Sequence, residues 1–144
     1  MKKLLAIGIA GVLATGLSCS AFAQTGASTE VTTAHAHALM AQNAKSLTEA
    51  HAHLHHVVNC LVGPKGHGFD ASAEDPCKGQ GNGAIPDSSN DHAMHAKLEH
   101  ALKDAKAGLK SNKLAKVQKD AGKAASNLQG GDTAAAPPAS SSSW

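Results

Sequence analysis

The sequence predicts an all-α protein, a small antiparallel up-and-down helical bundle with a long disulfide-stapled loop and a disordered C-terminal tail. Apolar residues recur every three or four positions in three stretches of the chain, which is the period of an amphipathic helix. Glycines and prolines crowd the segment 63–90, which excludes a continuous helix there. Alanine, proline and serine dominate the low-complexity tail 131–144.

The first element is a predicted secretory signal peptide over residues 1–23. Lys2 and Lys3 precede an apolar run that is shorter than the about 18 residues of a transmembrane helix, and a small-x-small site ends at Ala23. Lipidation of Cys19 is the alternative, but Leu17 stands one place too late for a good lipobox. We therefore expect cleavage after Ala23 and a periplasmic or secreted protein with no integral membrane segment.

The mature chain has the composition of one small domain with a thin core, a helical histidine-rich domain over residues 24–130 followed by the tail. Phe69 is its only phenylalanine and tyrosine is absent, so leucine, valine, methionine and alanine must fill the interior. The full chain holds 13 lysines and 11 acids, and removal of Lys2 and Lys3 leaves 11 of each. This balance, the lack of arginine and the expected export argue against a nucleic-acid partner.

The second element is a predicted long helix from about Val31 to Val62. Ser28 or Thr29 is a suitable start signal and Gly63 a suitable end. Its apolar stripe comprises Leu47, Ala50, Leu54, Val57 or Val58, and Leu61.

The loop that follows is longer than a helical hairpin needs, so it must be tied down or be mobile. Cys60 and Cys77 form an even pair once the signal is removed, and in an oxidising compartment they predict a disulfide. The alternative, a thiolate metal site, favours a closer spacing such as C-x-x-C. Phe69 and Ile85 are expected to pack under the loop as hydrophobic pins.

Two further helices are predicted near Asp91 to Leu109 and Lys113 to Leu128. Asn90 and Asn112 are the start signals, and Gly130 suits the last helix end.

The ten histidines predict a metal site, because nine of them fall in the first two predicted helices. Imidazole is a good ligand for zinc, copper and nickel. His51 and His55 share one face of the first helix, and His92, His95 and Glu99 share one face of the second. An antiparallel hairpin would bring His55 close to His95, whereas His35 and His37 would lie at the far end. The predicted ligands are His51, His55, His92, His95, Glu99, His53, His56 and His100. The competing interpretation is that these histidines are solvated polar residues on helix edges.

The stretch "HAMHAKLEHALKDAKAGLKSNKLAKVQKDAGKAASNL" resembles the repeating helical pattern of histidine-rich small periplasmic metal-binding proteins. The resemblance implies an antiparallel bundle of amphipathic helices that binds several divalent ions, copper especially. It also implies that His92, His95 and His100 are ligand positions. The third predicted helix departs from the pattern because it has no histidine.

Function is therefore predicted to be metal buffering or transport by an exported protein, with copper, nickel or zinc as the ion. We expect no enzymatic activity, because catalytic motifs such as H-E-x-x-H are absent from the sequence. The alternative is a periplasmic adaptor or structural protein. Between Lys97 and Lys123 there are eight lysines against Glu99, Asp104 and Asp120. Such a face could bind an acidic protein partner or an anionic surface.

Overall fold

The structure, a computed structural model, describes residues 26–129 and confirms the all-helical prediction. The predicted signal peptide 1–23, Cys19, Gly130 and the predicted tail 131–144 lie outside these residues. Five helices follow one another, with no strand in the described range: α1 (Gly26–Asn43), α2 (Leu47–Val62), α3 (Ala84–Asp87), α4 (His92–Leu109) and α5 (Leu114–Leu128).

The predicted continuous helix from Val31 to Val62 is wrong, because the chain reverses direction between α1 and α2. Ser46 caps α2 by accepting a hydrogen bond from the Glu49 N–H at 3.1 Å. The Glu49 carboxylate in turn accepts a hydrogen bond from the Lys45 N–H at 2.8 Å. This reciprocal capping satisfies backbone donors that would otherwise be unpaired at the start of α2, and it therefore favours a new helix over a continued one.

Four helices form a square bundle, and the short α3 lies in the long loop. α1 packs against α2 and α5, and α4 packs against the same two helices. Two hydrogen bonds join the α1–α2 and α4–α5 turns to their neighbours at one end of the bundle. His51 Nε2–H donates to the Ser111 carbonyl at 2.9 Å, and Gln118 Nε2 donates to the Ala44 carbonyl at 3.0 Å.

The core consists of alanines between a few large side chains. Leu54, Leu61, Leu98 and Leu128 are fully buried, and each contributes about 1.5–3 kcal/mol by leaving water. Small residues let the helix backbones approach closely. A Cβ on Gly108 would lie 2.6 Å from a methyl carbon of Leu54, so a larger residue there would have to displace the Leu54 side chain where α4 meets α2.

The long loop is held to α2, as predicted, by a disulfide. Cys60 and Cys77 are bonded, with their Cα atoms 5.2 Å apart. Phe69 and Ile85 pack partly buried against the core, which confirms their predicted role. The loop starts at Gly63, whose φ of 69° and close approach to the Asn82 carbonyl exclude a side chain.

The later helices begin close to their predicted starts, but the predicted caps are wrong by one residue. Asp91, not Asn90, caps α4 by accepting from the Met94 N–H at 3.0 Å. Lys113, not Asn112, precedes α5 and makes no side-chain cap bond. Within residues 26–129, every helix is too short or too polar to cross a membrane.

Candidate metal centre

A cluster of three histidines lies between α1 and α2. His53 and His56 are three residues apart on α2, so they share one side of that helix. His37 lies on α1 and faces them across the hairpin, because it stands eight residues before Lys45 while His53 stands eight residues after it. We call His37, His53 and His56 the histidine triad. Among residues 26–129, this triad is the group of histidine, cysteine and acidic side chains whose spacing could hold a metal ion.

The triad's ring nitrogens converge on His37. His37 Nδ1 lies 3.2 Å from His53 Nδ1 and 3.3 Å from His56 Nδ1. The His37 and His56 rings meet edge to face, with centroids 4.7 Å apart, and the His53 and His56 centroids are 5.8 Å apart. One nitrogen from each ring can be chosen so that all three lie within 4.8 Å of one another. The three side chains are half-buried.

Hydrogen bonds among the three neutral rings satisfy the converging nitrogens poorly. Each neutral imidazole carries one N–H and one in-plane lone pair. If His53 and His56 both donate through Nδ1, they share the single lone pair of His37 Nδ1. If His37 donates instead, its one N–H cannot serve two acceptors fully. A cation at the convergence point would accept all three lone pairs, which is how metal ions bind histidine.

The electrostatics favour the neutral form of His37 and His56. The pKa of His37 is lowered from 6.5 to about 4, chiefly by burial and then by the neighbouring His56 and His53 rings, while Glu74 opposes the fall. Burial is also the main cause that lowers the pKa of His56, to which His53 adds. Neutral imidazole is the form that binds metal, so no proton has to leave these two rings at neutral pH.

The long loop supports the triad from one side. Asn59 is fully buried on α2, three residues after His56, and its amide donates to the Asp70 carbonyl at 3.0 Å and the Glu74 carbonyl at 3.2 Å. Its side-chain oxygen accepts from the Asp70 N–H at 2.8 Å. These bonds and the disulfide hold the loop on α2, so that the negative charge of Glu74 acts on both His37 and His56.

The structure divides the predicted ligands among several places. His53 and His56 belong to the triad. His51 bonds to the Ser111 carbonyl, and His55 Nδ1 lies 3.1 Å from the Asp70 carboxylate. On α4, His95 Nδ1 lies 3.1 Å from the Ile85 carbonyl and its Nε2 lies 3.9 Å from Glu99.

His55 and His95 each contact other groups, and their predicted proximity stays a prediction. His92 and His100 are exposed on α4. A site built from His92, His95, Glu99 and His100 stays a prediction.

The sequence interpretation missed His37, because the assumed continuous helix placed it far from His53 and His56. The signal that could have located it is the capping pattern Ser46-x-x-Glu49, which ends α1 before α2 begins.

Some lysines of the lysine-rich segment form ion pairs within the protein itself. Asp120 is buried on α5, where Lys116 and Lys123 both donate to its carboxylate. Two of the eight lysines therefore neutralise a buried acid of their own helix. Within the described residues, no contact indicates that the other six lysines bind another molecule.

The comparisons with known proteins add no relative. The chain matches no family model, no curated protein and no solved structure. The resemblance of the α4–α5 segment to histidine-rich periplasmic proteins therefore has no support beyond its residue pattern, and the candidate site depends on the geometry of the triad.

Proposed function

We propose that this protein binds a divalent transition metal ion through His37, His53 and His56, as an exported buffer or carrier. The observation that carries the proposal is the convergence of three imidazole nitrogens that protons cannot satisfy together. A metal ion resolves the conflict, because each ring then donates its lone pair to one centre.

The spacing of the nitrogens favours tetrahedral coordination. Metal–nitrogen bonds of about 2.0–2.1 Å at tetrahedral angles place two ligand nitrogens about 3.3–3.4 Å apart. Two of the three separations, 3.2 and 3.3 Å, agree with this value, and all three nitrogens lie within 4.8 Å of one another. Neighbouring ligands of a square-planar copper(II) or nickel(II) ion would stand about 2.8–3.0 Å apart at the same bond lengths. Zinc(II) is therefore the better fit to these two separations, and copper(II) is its strongest competitor because it binds nitrogen ligands more tightly in general.

The same geometry favours an exchangeable ion over a closed structural one. Three protein nitrogens leave the fourth position of a tetrahedral ion open, and the half-buried rings keep a path to water. The exposed Glu74 supplies negative charge near the triad. Export is supported by the buried disulfide, since such bonds persist in oxidising compartments.

Zinc titration by calorimetry of the chain from Gln24 onward tests the proposal. Loss of one ligand in His37→Ala should raise the Kd at least about tenfold, equivalent to about 1.4 kcal/mol. His92→Ala is the matched control, because it removes an exposed histidine on α4 and should leave the Kd unchanged. If His37→Ala binds zinc as tightly as the original protein while His92→Ala does not, the site belongs on α4 and the proposal is wrong.

Cobalt(II) tests the coordination number separately. Tetrahedral cobalt absorbs visible light far more strongly than octahedral cobalt. The original protein should develop the intense spectrum on binding cobalt, and zinc should abolish it by competition. A weak octahedral spectrum would contradict the tetrahedral assignment while leaving metal binding itself intact.

A further inference from the structure

A buried carboxyl group in α1 has an oxygen without a partner. Glu30 is 1% exposed, and its Oε1 accepts a hydrogen bond from the Gly83 N–H at 2.8 Å. Its Oε2 is buried, and no hydrogen-bond partner reaches it from the described part of the chain. An unpaired buried carboxylate oxygen is costly, typically by about 1–3 kcal/mol or more. Such a group therefore indicates a missing donor.

Glu30 is also one of the residues that line a cavity under the long loop. The cavity has a volume of about 330 Å³, at the lower end of the range for small-molecule sites. Much of the remaining wall is apolar and consists of Pro64, Phe69, Ala71 and Ala73. The cavity therefore combines acidic lining residues with a carbon surface around them.

The charges around Glu30 favour a cationic occupant. The pKa of Glu30 is raised from 4.5 to about 7, chiefly by burial and in part by the carboxylates of Asp87 and Asp75, while the Gly83 N–H opposes the rise. Asp75 also lines the cavity, and so does Lys78, whose side chain is exposed. In the described residues Lys78 forms no ion pair, so the nearby acids are not neutralised by it.

The ligand atoms and the apolar walls of the cavity favour an organic cation over a metal ion. A metal ion would need several converging ligands, yet within residues 26–129 three side-chain ligands converge only at the histidine triad. Apolar walls suit carbon atoms, which a hydrated metal ion lacks. An alkylammonium ion combines three N–H donors with an apolar chain.

We propose that the cavity binds a small organic ammonium ion, whose N–H groups donate to the Glu30 carboxylate and whose alkyl part packs against Pro64, Phe69 and Ala73. The positive charge compensates Glu30 and Asp75, and the hydrogen bond supplies the missing donor. This site is independent of the histidine triad, because it uses different residues and needs no metal.

Calorimetry with n-butylammonium chloride at pH 8.5 tests the proposal, since Glu30 is then mostly ionised and an alkylammonium is still protonated. The original protein should bind n-butylammonium and not n-butanol, which has a similar alkyl chain but no charge. Glu30→Gln keeps an oxygen for the Gly83 N–H and removes the charge, so its Kd should rise at least about tenfold. Ala73→Leu should weaken binding as well, because it fills the cavity without changing Glu30.

Circular dichroism melts of both variants establish that they are folded before binding is measured. Equal affinity of Glu30→Gln and the original protein would overturn the proposal, and so would equal binding of butanol. Absence of n-butylammonium binding would also overturn it. Binding of calcium chloride alone, lost in Glu30→Gln, would replace the organic cation by a metal and equally contradict the inference.

Discussion

Replacing His37 by glutamine should make the metal-free protein less sensitive to acid. The unfolded chain binds a proton at His37 as the pH falls through about 6.5, whereas the folded chain resists protonation there until about pH 4. The unfolded state therefore gains protons relative to the folded state within this window, and folding stability falls as the pH falls. Glutamine does not titrate, so His37→Gln loses this contribution.

The size of the effect follows from the fall in pKa. A change from 6.5 to about 4 corresponds to at most about 3.4 kcal/mol, at about 1.36 kcal/mol per pKa unit. His37 is half-buried and water screens part of the interaction, so we expect about 1–2 kcal/mol. Glu30 acts in the opposite direction, because a raised carboxyl pKa adds stability as the pH falls from about 7 toward 4.5. Glu30 is present in both the original protein and His37→Gln, so its contribution cancels when the two are compared.

Denaturant unfolding followed by circular dichroism measures the difference, with a chelator present to keep the triad free of metal. Between pH 7.5 and 4.5 the original protein should lose about 1–2 kcal/mol more stability than His37→Gln. Parallel pH profiles for the two proteins would refute the claim that burial and the neighbouring rings suppress protonation of His37.

Three further changes test other parts of the structure. Ser46→Ala removes the cap of α2 and should lower the free energy of unfolding by about 1 kcal/mol in a denaturant titration; an unchanged midpoint would argue against the capped break between α1 and α2. Replacing Cys60 and Cys77 together by serine opens a loop with a sequence separation of 17 and should lower the free energy of unfolding by about 3 kcal/mol; a loss well under 1 kcal/mol would contradict the estimate from the entropy of the unfolded chain. Glu74→Gln should weaken zinc binding roughly two- to fivefold at low salt, with a smaller effect at high salt; an effect independent of salt would rule out a through-space role of this charge.

Helical periodicity predicted the helical class and most helix ends, because it depends on neighbours in sequence. It could not show the break between α1 and α2, since Ala44 and Leu47 continue an apolar stripe on both sides of the turn. The capping pair Ser46 and Glu49 was the local signal for that break. The disulfide was predictable from the cysteine count, whereas the short helix α3 inside the glycine-rich loop was not.

The composition of the candidate metal centre was only partly predictable, because sequence periodicity reports on neighbours within one helix. His53 and His56 were predicted as ligands from their helix, but His37 joins them only after the hairpin has formed. His55 and His51 are directed elsewhere by Asp70 in the loop and by the Ser111 carbonyl in a distant turn. Such partners are far apart in sequence, and spacing within one helix carries no information about them.

The most direct measurement is the location of zinc in crystals of the protein by anomalous scattering at the zinc absorption edge. The proposal predicts a peak between α1 and α2, about 2.0–2.1 Å from one nitrogen each of His37, His53 and His56. Zinc bound on α4 beside His95 and Glu99, with the triad free of metal, would contradict it.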